Sequence, residues 1–248
     1  MSGPLRVAVL GARGRLGAHA CDLLGRSAGF ELVARWNSGD DWRTLAPQSG
    51  AQVVLESTRA GLGALHARAL LEQGVRVVVA TSGVSLDENR ELDRLARERG
   101  LGGLVVPNLS IGAALMLRFS ETAARWFGDV EIVEGHHPRK ADAPSGTALE
   151  TARRIAAARA EAGRSPSVAG GAGNLARGGE VEGVPVHSLR LPGIYARQEV
   201  TFGSMGELLR IEHETSGPEA YGPGLLAALR HAARATGVAR GIEAALDG

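Results

Sequence analysis

The sequence predicts an α/β chain: a doubly wound parallel sheet, then a smaller α+β domain on a mixed sheet. Three observations carry this prediction. Short apolar runs alternate with helix-patterned stretches over the first 108 residues. A glycine-spaced turn joins the first run to the first helix pattern. After Asn108 the alternation stops, and strands of alternating polarity follow two longer helix patterns.

The elements follow in order. LRVAVL (5–10) is a continuous apolar run of the kind that fills a buried parallel strand. Leu16, Ala20, Leu23 and Leu24 then recur at helical spacing. FELVARW (30–36), AQVVLEST (51–58), VRVVVATS (75–82) and LGGLVVPN (101–108) supply four more strands. Helix patterns lie near 63–73 and over 87–100, the latter closed by Gly100. Beyond Asn108, residues 110–127 form one longer amphipathic helix, 129–137 a strand and 144–163 another helix. The Gly-rich stretch 164–185 reads as a mobile loop. Three strands at 186–193, 196–203 and 208–215 join 129–137 in a four-stranded sheet. A last helix over 224–237 returns to the first domain. The predicted domains are 1–108 completed by 217–248, and 109–216.

Composition limits the function. The 248 residues carry a net charge of +1, with 44% hydrophobic and 22% charged residues. That balance gives no reason to expect a nucleic acid or a membrane partner. No apolar run approaches the roughly 18–20 residues of a membrane helix. The N-terminus lacks a signal peptide's basic start and cleavage site, so a cytoplasmic protein is expected. Cys21 is the single cysteine. The 28 basic residues include one lysine, Lys140, and therefore 27 arginines. A compact ammonium can give up a proton where guanidinium cannot.

Gly11, Gly14 and Gly17 make a G-x-x-G-x-x-G turn between the first strand and helix. Such a turn lets a pyrophosphate reach free backbone N–H groups at the positive end of a helix. The architecture is therefore of Rossmann type. The acid that usually closes the second strand and binds a ribose is missing: Ala34-Arg35-Trp36-Asn37 stand there. Asn37 can bond a ribose hydroxyl, Arg35 can attract a 2′-phosphate, and Asp40 and Asp41 lie just beyond. NADH, NADPH or both fit, with dual use favoured.

A second segment carries chemistry. Glu134-Gly135-His136-His137-Pro138-Arg139-Lys140 leads into Asp142-Ala143-Pro144-Ser145-Gly146-Thr147-Ala148. Two of the chain's seven histidines are adjacent at a strand end, and Lys140 lies three residues on. A helix begins at about Ser145–Thr147, so its N-terminus suits a carboxylate. Imidazole and ammonium beside it suit proton transfer. Neighbouring side chains on a strand point to opposite faces, and no further Cys/His cluster is near, so no metal site is expected.

This segment resembles the signature of the dihydrodipicolinate (4-hydroxy-tetrahydrodipicolinate) reductases, E-x-H-H-x-x-K-x-D-A-P-S-G-T-A, at every fixed position from Glu134 to Ala148. The family's glycine turn resembles Gly11-Ala12-Arg13-Gly14-Arg15-Leu16-Gly17. Its later cofactor loops resemble Ala80-Thr81-Ser82-Gly83 and Pro107-Asn108-Leu109-Ser110-Ile111-Gly112. Its R-x-G run resembles Arg190-Leu191-Pro192-Gly193. Three departures stand out. The family's D-F-T is Glu56-Ser57-Thr58, the strand-two acid is absent, and S-S-R-x-x-F is Ser216-Gly217-Pro218-Glu219-Ala220-Tyr221, without its arginine.

The resemblance implies reduction of a small cyclic dicarboxylate by NADH or NADPH in lysine and diaminopimelate biosynthesis. It implies His136 and Lys140 as catalytic proton donors. His137, Ser145, Gly146 and Thr147 would bind substrate. Gly11 through Gly17, Asn37, Ala80, Thr81, Ser82, Pro107, Asn108 and Leu109 would bind cofactor. It also implies a homotetramer and closure of the domains on substrate. The competing expectations are another NAD(P)-dependent dehydrogenase of this architecture, or a dinucleotide sensor without activity. A sensor has no need of His136, His137 and Lys140 together.

Overall fold

The computed structural model of the chain describes residues 3–164 and 177–246. Two compact units are present: Met1–Ile111 with Pro218–Gly248, and Gly112–Gly217.

Unit one is built on a parallel sheet. Its strands are β1 (Leu5–Leu10), β2 (Phe30–Trp36), β3 (Val53–Glu56), β4 (Arg76–Val79), β5 (Gly102–Val105) and β11 (Gly237–Arg240), in the order β11-β5-β4-β3-β1-β2. Every residue of β3 and β5 is buried, as a sheet covered on both faces requires. The connecting helices are α1 (Arg15–Arg26), α2 (Trp42–Gln48), α3 (Gly63–Glu72) and α4 (Leu86–Glu98), with α7 (Gly222–Arg234) returning from the C-terminal segment. A reciprocal cap starts α4: Ser85 Oγ accepts the Glu88 N–H, and the Glu88 carboxylate accepts the Ser85 N–H at 2.7 Å.

Two elements differ from expectation. The helix predicted to run to residue 237 ends at Arg234, and β11 adds a sixth strand. Gly237, at φ +93°, turns the chain out of the helix, and its N–H bonds Leu101 O at 2.8 Å. Asp93 on α4 then accepts the Val238 N–H at 2.8 Å. The short helix α2 was not predicted. Asp41 caps it by accepting the Thr44 N–H.

Unit two carries α5 (Ile111–Ala124) and α6 (Gly146–Glu161) against a mixed sheet. The sheet order is β10 (Glu207–Thr215), β9 (Ala196–Ser204), β6 (Asp129–His136), β8 (Val184–Arg190), β7 (Gly179–Val181). β6 and β8 are parallel and the other pairs antiparallel. Its core joins Ala124, Ala152 and Ile155 from the helices to Val130, Ile132, Val186, Val200 and Phe202 from the sheet. The opposite face is ionic: Glu131 meets Arg177 and His187, and Arg197 meets Glu199 and Glu212.

The sheet has five strands rather than four, because β7 lies inside the stretch expected to be a loop. Val181 and Val184 pair across a two-residue turn, Glu182-Gly183, with φ of +49° and +79°. Two positive φ angles make the tight turn that suits strand twist. Residues 165–176 of the same expected loop lie outside the described residues. Among the described residues no helix is long and apolar enough to cross a membrane.

Candidate active site

In unit one the parallel sheet brings the expected cofactor residues to one edge, because every strand ends there. Gly11 follows β1, and Arg15–Gly17 form the first turn of α1. Ala80–Ser82 follow β4, and Pro107–Leu109 follow β5. Gly11 has φ +91°, and a Cβ there would lie 2.7 Å from Ser57 O. A Cβ on Gly17 would lie 2.1 Å from Gly11 O. Only glycine lets the turn close this tightly, leaving a bare backbone cradle ahead of a helix N-terminus. That cradle fits a dinucleotide pyrophosphate.

The surrounding bonds set this edge. Gly11 and Ala12 donate their N–H groups to Trp36 O at 2.8 and 3.1 Å. Asn37 Oδ1 accepts the Arg13 N–H at 2.9 Å, so its oxygen braces the glycine turn. Asp40 accepts the Asn37 N–H, and Asp41 caps α2, so both carboxylates already have local partners. Leu109 is buried, with 3% of its surface exposed, so it offers backbone rather than side chain.

Beneath the β4 loop lies Glu56, which stands where the family pattern has an aspartate. Glu56 is fully buried. It accepts hydrogen bonds from the Thr58 N–H at 3.1 Å, from the Thr58 hydroxyl and from the Thr81 hydroxyl at 2.6 Å, and His66 Nδ1 lies 3.1 Å away. Burial alone would raise its pKa, but these bonds outweigh it and lower it. Thr81 is thereby held in a defined rotamer.

In unit two, β6 delivers His136 at its end. A turn follows, closed by the Lys140 N–H on His137 O at 3.1 Å, with Pro138 at its second position. His136 Nδ1 lies 2.6 Å from Glu134 Oε2. Glu134 has no exposed side-chain surface. Desolvation would push its carboxyl up, but hydrogen bonds with His136, Arg190 and Ser188 bring it down to about 2. Lys140 Nζ donates to both Asp142 oxygens at 2.9 and 2.8 Å. Its side chain is 23% exposed, so the ammonium remains reachable.

The substrate candidates divide. Gly146 stands exposed at the start of α6, with open space where a Cβ would be. Thr147 follows it in the first turn. Ser145 is buried, and its hydroxyl accepts the Ala148 N–H at 3.2 Å, so it caps the helix instead of facing outward. His137 Nδ1 is buried without a hydrogen-bond partner among the described residues. The motifs alone assign no role to Glu134 or Arg190. The available signal was the i, i+2 spacing of Glu134 and His136, which puts both on one face of a strand.

A glycine cradle on a parallel sheet, joined in one chain to a histidine- and lysine-bearing segment on a second sheet, is the arrangement of an NAD(P)-dependent oxidoreductase of two units. The family model described as "Dihydrodipicolinate reductase, N-terminus" matches residues 5–109, and that described as "Dihydrodipicolinate reductase, C-terminus" matches 112–246. The chain belongs to the dihydrodipicolinate reductase family. It is 44% identical over 246 residues to the 4-hydroxy-tetrahydrodipicolinate reductase of Streptomyces griseus, covering 98% of both chains. It is 43% identical over 248 residues to that of Nocardia farcinica, covering 98% of this chain and 99% of the other. Among solved structures it resembles a dipicolinate-bound dihydrodipicolinate reductase from Paenisporosarcina sp. TG-14. The TM-score is 0.85 at 31% identity, covering 97% and 98% of the two chains.

Proposed function

We propose that this chain reduces 4-hydroxy-tetrahydrodipicolinate to tetrahydrodipicolinate with NADH or NADPH, a step of lysine and diaminopimelate biosynthesis. Unit one serves as the cofactor domain and unit two as the substrate domain. One observation carries the reading: in a member of this family, His136 at the end of β6 and Lys140 in the turn that follows come directly ahead of the start of α6.

The reaction exchanges a ring hydroxyl for hydrogen. Bound NAD(P)H supplies the hydride. The hydroxyl leaves as water, and the exchange consumes one proton. The chain's residues handle that proton and the two carboxylates. His136 and Lys140 donate that proton and are reprotonated from solvent. The N-terminus of α6, at Gly146 and Thr147, receives one carboxylate, supported by the helix dipole. The Lys140 ammonium offsets the other, with His137 beside it. The dipicolinate carried by the Paenisporosarcina relative is a ring with two carboxylates, which this arrangement complements.

The test follows NAD(P)H absorbance while a dihydrodipicolinate synthase generates substrate in the cuvette. Oxidation of the cofactor only when the synthase is active supports the reading. No oxidation with either cofactor refutes it and favours a sensor.

A cytoplasmic homo-oligomer, a tetramer by family resemblance, completes the proposal. Exposed Met205 and Leu208, at the outer edge of the unit-two sheet, support it. Light scattering that returns only a monomeric mass near 25.7 kDa contradicts it.

A further inference from the structure

We infer that Glu134, clamped by Arg190, is the positioning residue for His136: it holds the Nδ1 proton and leaves Nε2 as the nitrogen that exchanges a proton with substrate. This inference rests on the reductase reading and adds to it the geometry by which the imidazole works.

Glu134 and His136 are two residues apart on β6 and share a face of the strand. β8 runs parallel beside them, with Ser188 opposite Glu134 and Arg190 opposite His136. Glu134 is fully buried, where a lone carboxyl would keep its proton. Its partners hold it ionised instead. An ionised carboxylate only accepts hydrogen bonds, so the 2.6 Å contact requires that Nδ1 of His136 carry the hydrogen. Neutral His136 then has its lone pair on Nε2, and protonated His136 has its exchangeable N–H there. The proton cycles through one nitrogen while the other stays anchored.

Arg190 completes the device. Its Nη2 donates to Glu134 Oε1 at 2.9 Å, and its Nη1 lies 3.1 Å from Oε2. The fork prevents the carboxylate from turning away from the imidazole. The same guanidinium reaches the loop beyond. Its Nη2 donates to Asp142 O at 2.6 Å and its Nε to Lys140 O at 3.2 Å. One side chain thus braces the anchor of His136 and the backbone that carries Lys140. A lysine lacks the fixed fork that these directions need. The side chain of Arg190 is only 19% exposed, so the brace is largely sheltered from water.

The test is nitrogen-15 NMR of the full-length protein labelled at histidine, alongside steady-state kinetics. In the unaltered protein, neutral His136 is expected as the Nδ1–H tautomer. Finding it as Nε2–H overturns the inference without any variant. In Glu134→Gln, Arg190 keeps the amide oxygen and the NH2 group faces His136. The tautomer inverts, and kcat falls about a thousand- to ten-thousandfold, as when an amide replaces the carboxylate that orients a catalytic imidazole. The KM for NAD(P)H stays unchanged. Glu134→Asp recovers part of kcat and restores the Nδ1–H form. If Glu134→Gln keeps both kcat and tautomer, Glu134 is only structural and the inference fails. His136→Gln separates the two claims. Full turnover in that variant removes the proton-donor reading itself. An inactive His136→Gln beside a fully active Glu134→Gln removes only the positioning role.

Discussion

The ammonium of Lys140 lies between the two carboxylate oxygens of Asp142, at 2.9 and 2.8 Å. The chain's single lysine is therefore held on a counter-ion two residues away. Hydrogen bonding from Lys140 lowers the Asp142 pKa, so the carboxylate is ionised throughout the neutral range. Lys140→Ala is expected to cut kcat by about a hundred- to ten-thousandfold while leaving NAD(P)H affinity intact. Lys140→Arg keeps the charge but not the readily released proton. Its kcat should stay near that of the alanine variant. Recovery of full turnover by arginine, measured under saturating substrate, would reduce Lys140 to an electrostatic anchor.

Gly17→Ala tests the cofactor cradle. The added Cβ would sit 2.1 Å from Gly11 O, a backbone atom that cannot swing aside. Overpacking of this kind costs about 1–3 kcal/mol. Urea unfolding should show that loss, and NADH fluorescence should show weakened binding. Binding at wild-type strength would place the dinucleotide elsewhere.

Acid stability should report Glu134. Its carboxyl is held at about 2 in the folded chain, against 4.5 without the fold. Above 4.5 both states are ionised and the stabilisation is complete. As pH falls from 4.5 to 2 the unfolded chain takes up the proton first, so the stabilisation drains away across that window. The full amount is on the order of 3 kcal/mol. Denaturant midpoints taken at intervals across the window should fall steeply in the wild type. Glu134→Gln should fall less steeply, and an identical slope would contradict this origin.

Cofactor choice turns on the end of β2. The strand itself ends without an acid, the Asp40 and Asp41 carboxylates just beyond it accept the Asn37 and Thr44 N–H groups, and Arg35 is exposed. Steady-state kinetics should give comparable kcat/KM for NADH and NADPH. Arg35→Ala should raise KM for NADPH by about tenfold, the loss of one charged hydrogen bond, and leave NADH unaffected. A hundredfold preference of the wild type for NADH would defeat the expectation.

Much of the fold could be read along the chain because its signals are local. LRVAVL and VRVVVATS reveal buried strands through unbroken apolar runs. β11 escaped because GVAR is four residues long and follows a helix without a turn signal beyond one glycine. It is a strand because β5 offers it a parallel edge and Asp93 and Asn89 of α4 bind its backbone. β7 escaped for a similar reason: a glycine-rich composition concealed a two-residue turn.

The candidate site divides along the same line. By itself the sequence determined the glycine turn, the Glu134–Ala148 segment, the one lysine and the change of pattern after Asn108. Each is a matter of residue type at short spacing. Only the tertiary structure decided that Ser145 faces its own helix, that Asn37 braces Arg13, and that Arg190 grips Glu134 from 56 positions away. Composition and periodicity describe neighbours along the chain. Which buried carboxylate meets which guanidinium depends on strand register, and register is set when the whole sheet buries its apolar face.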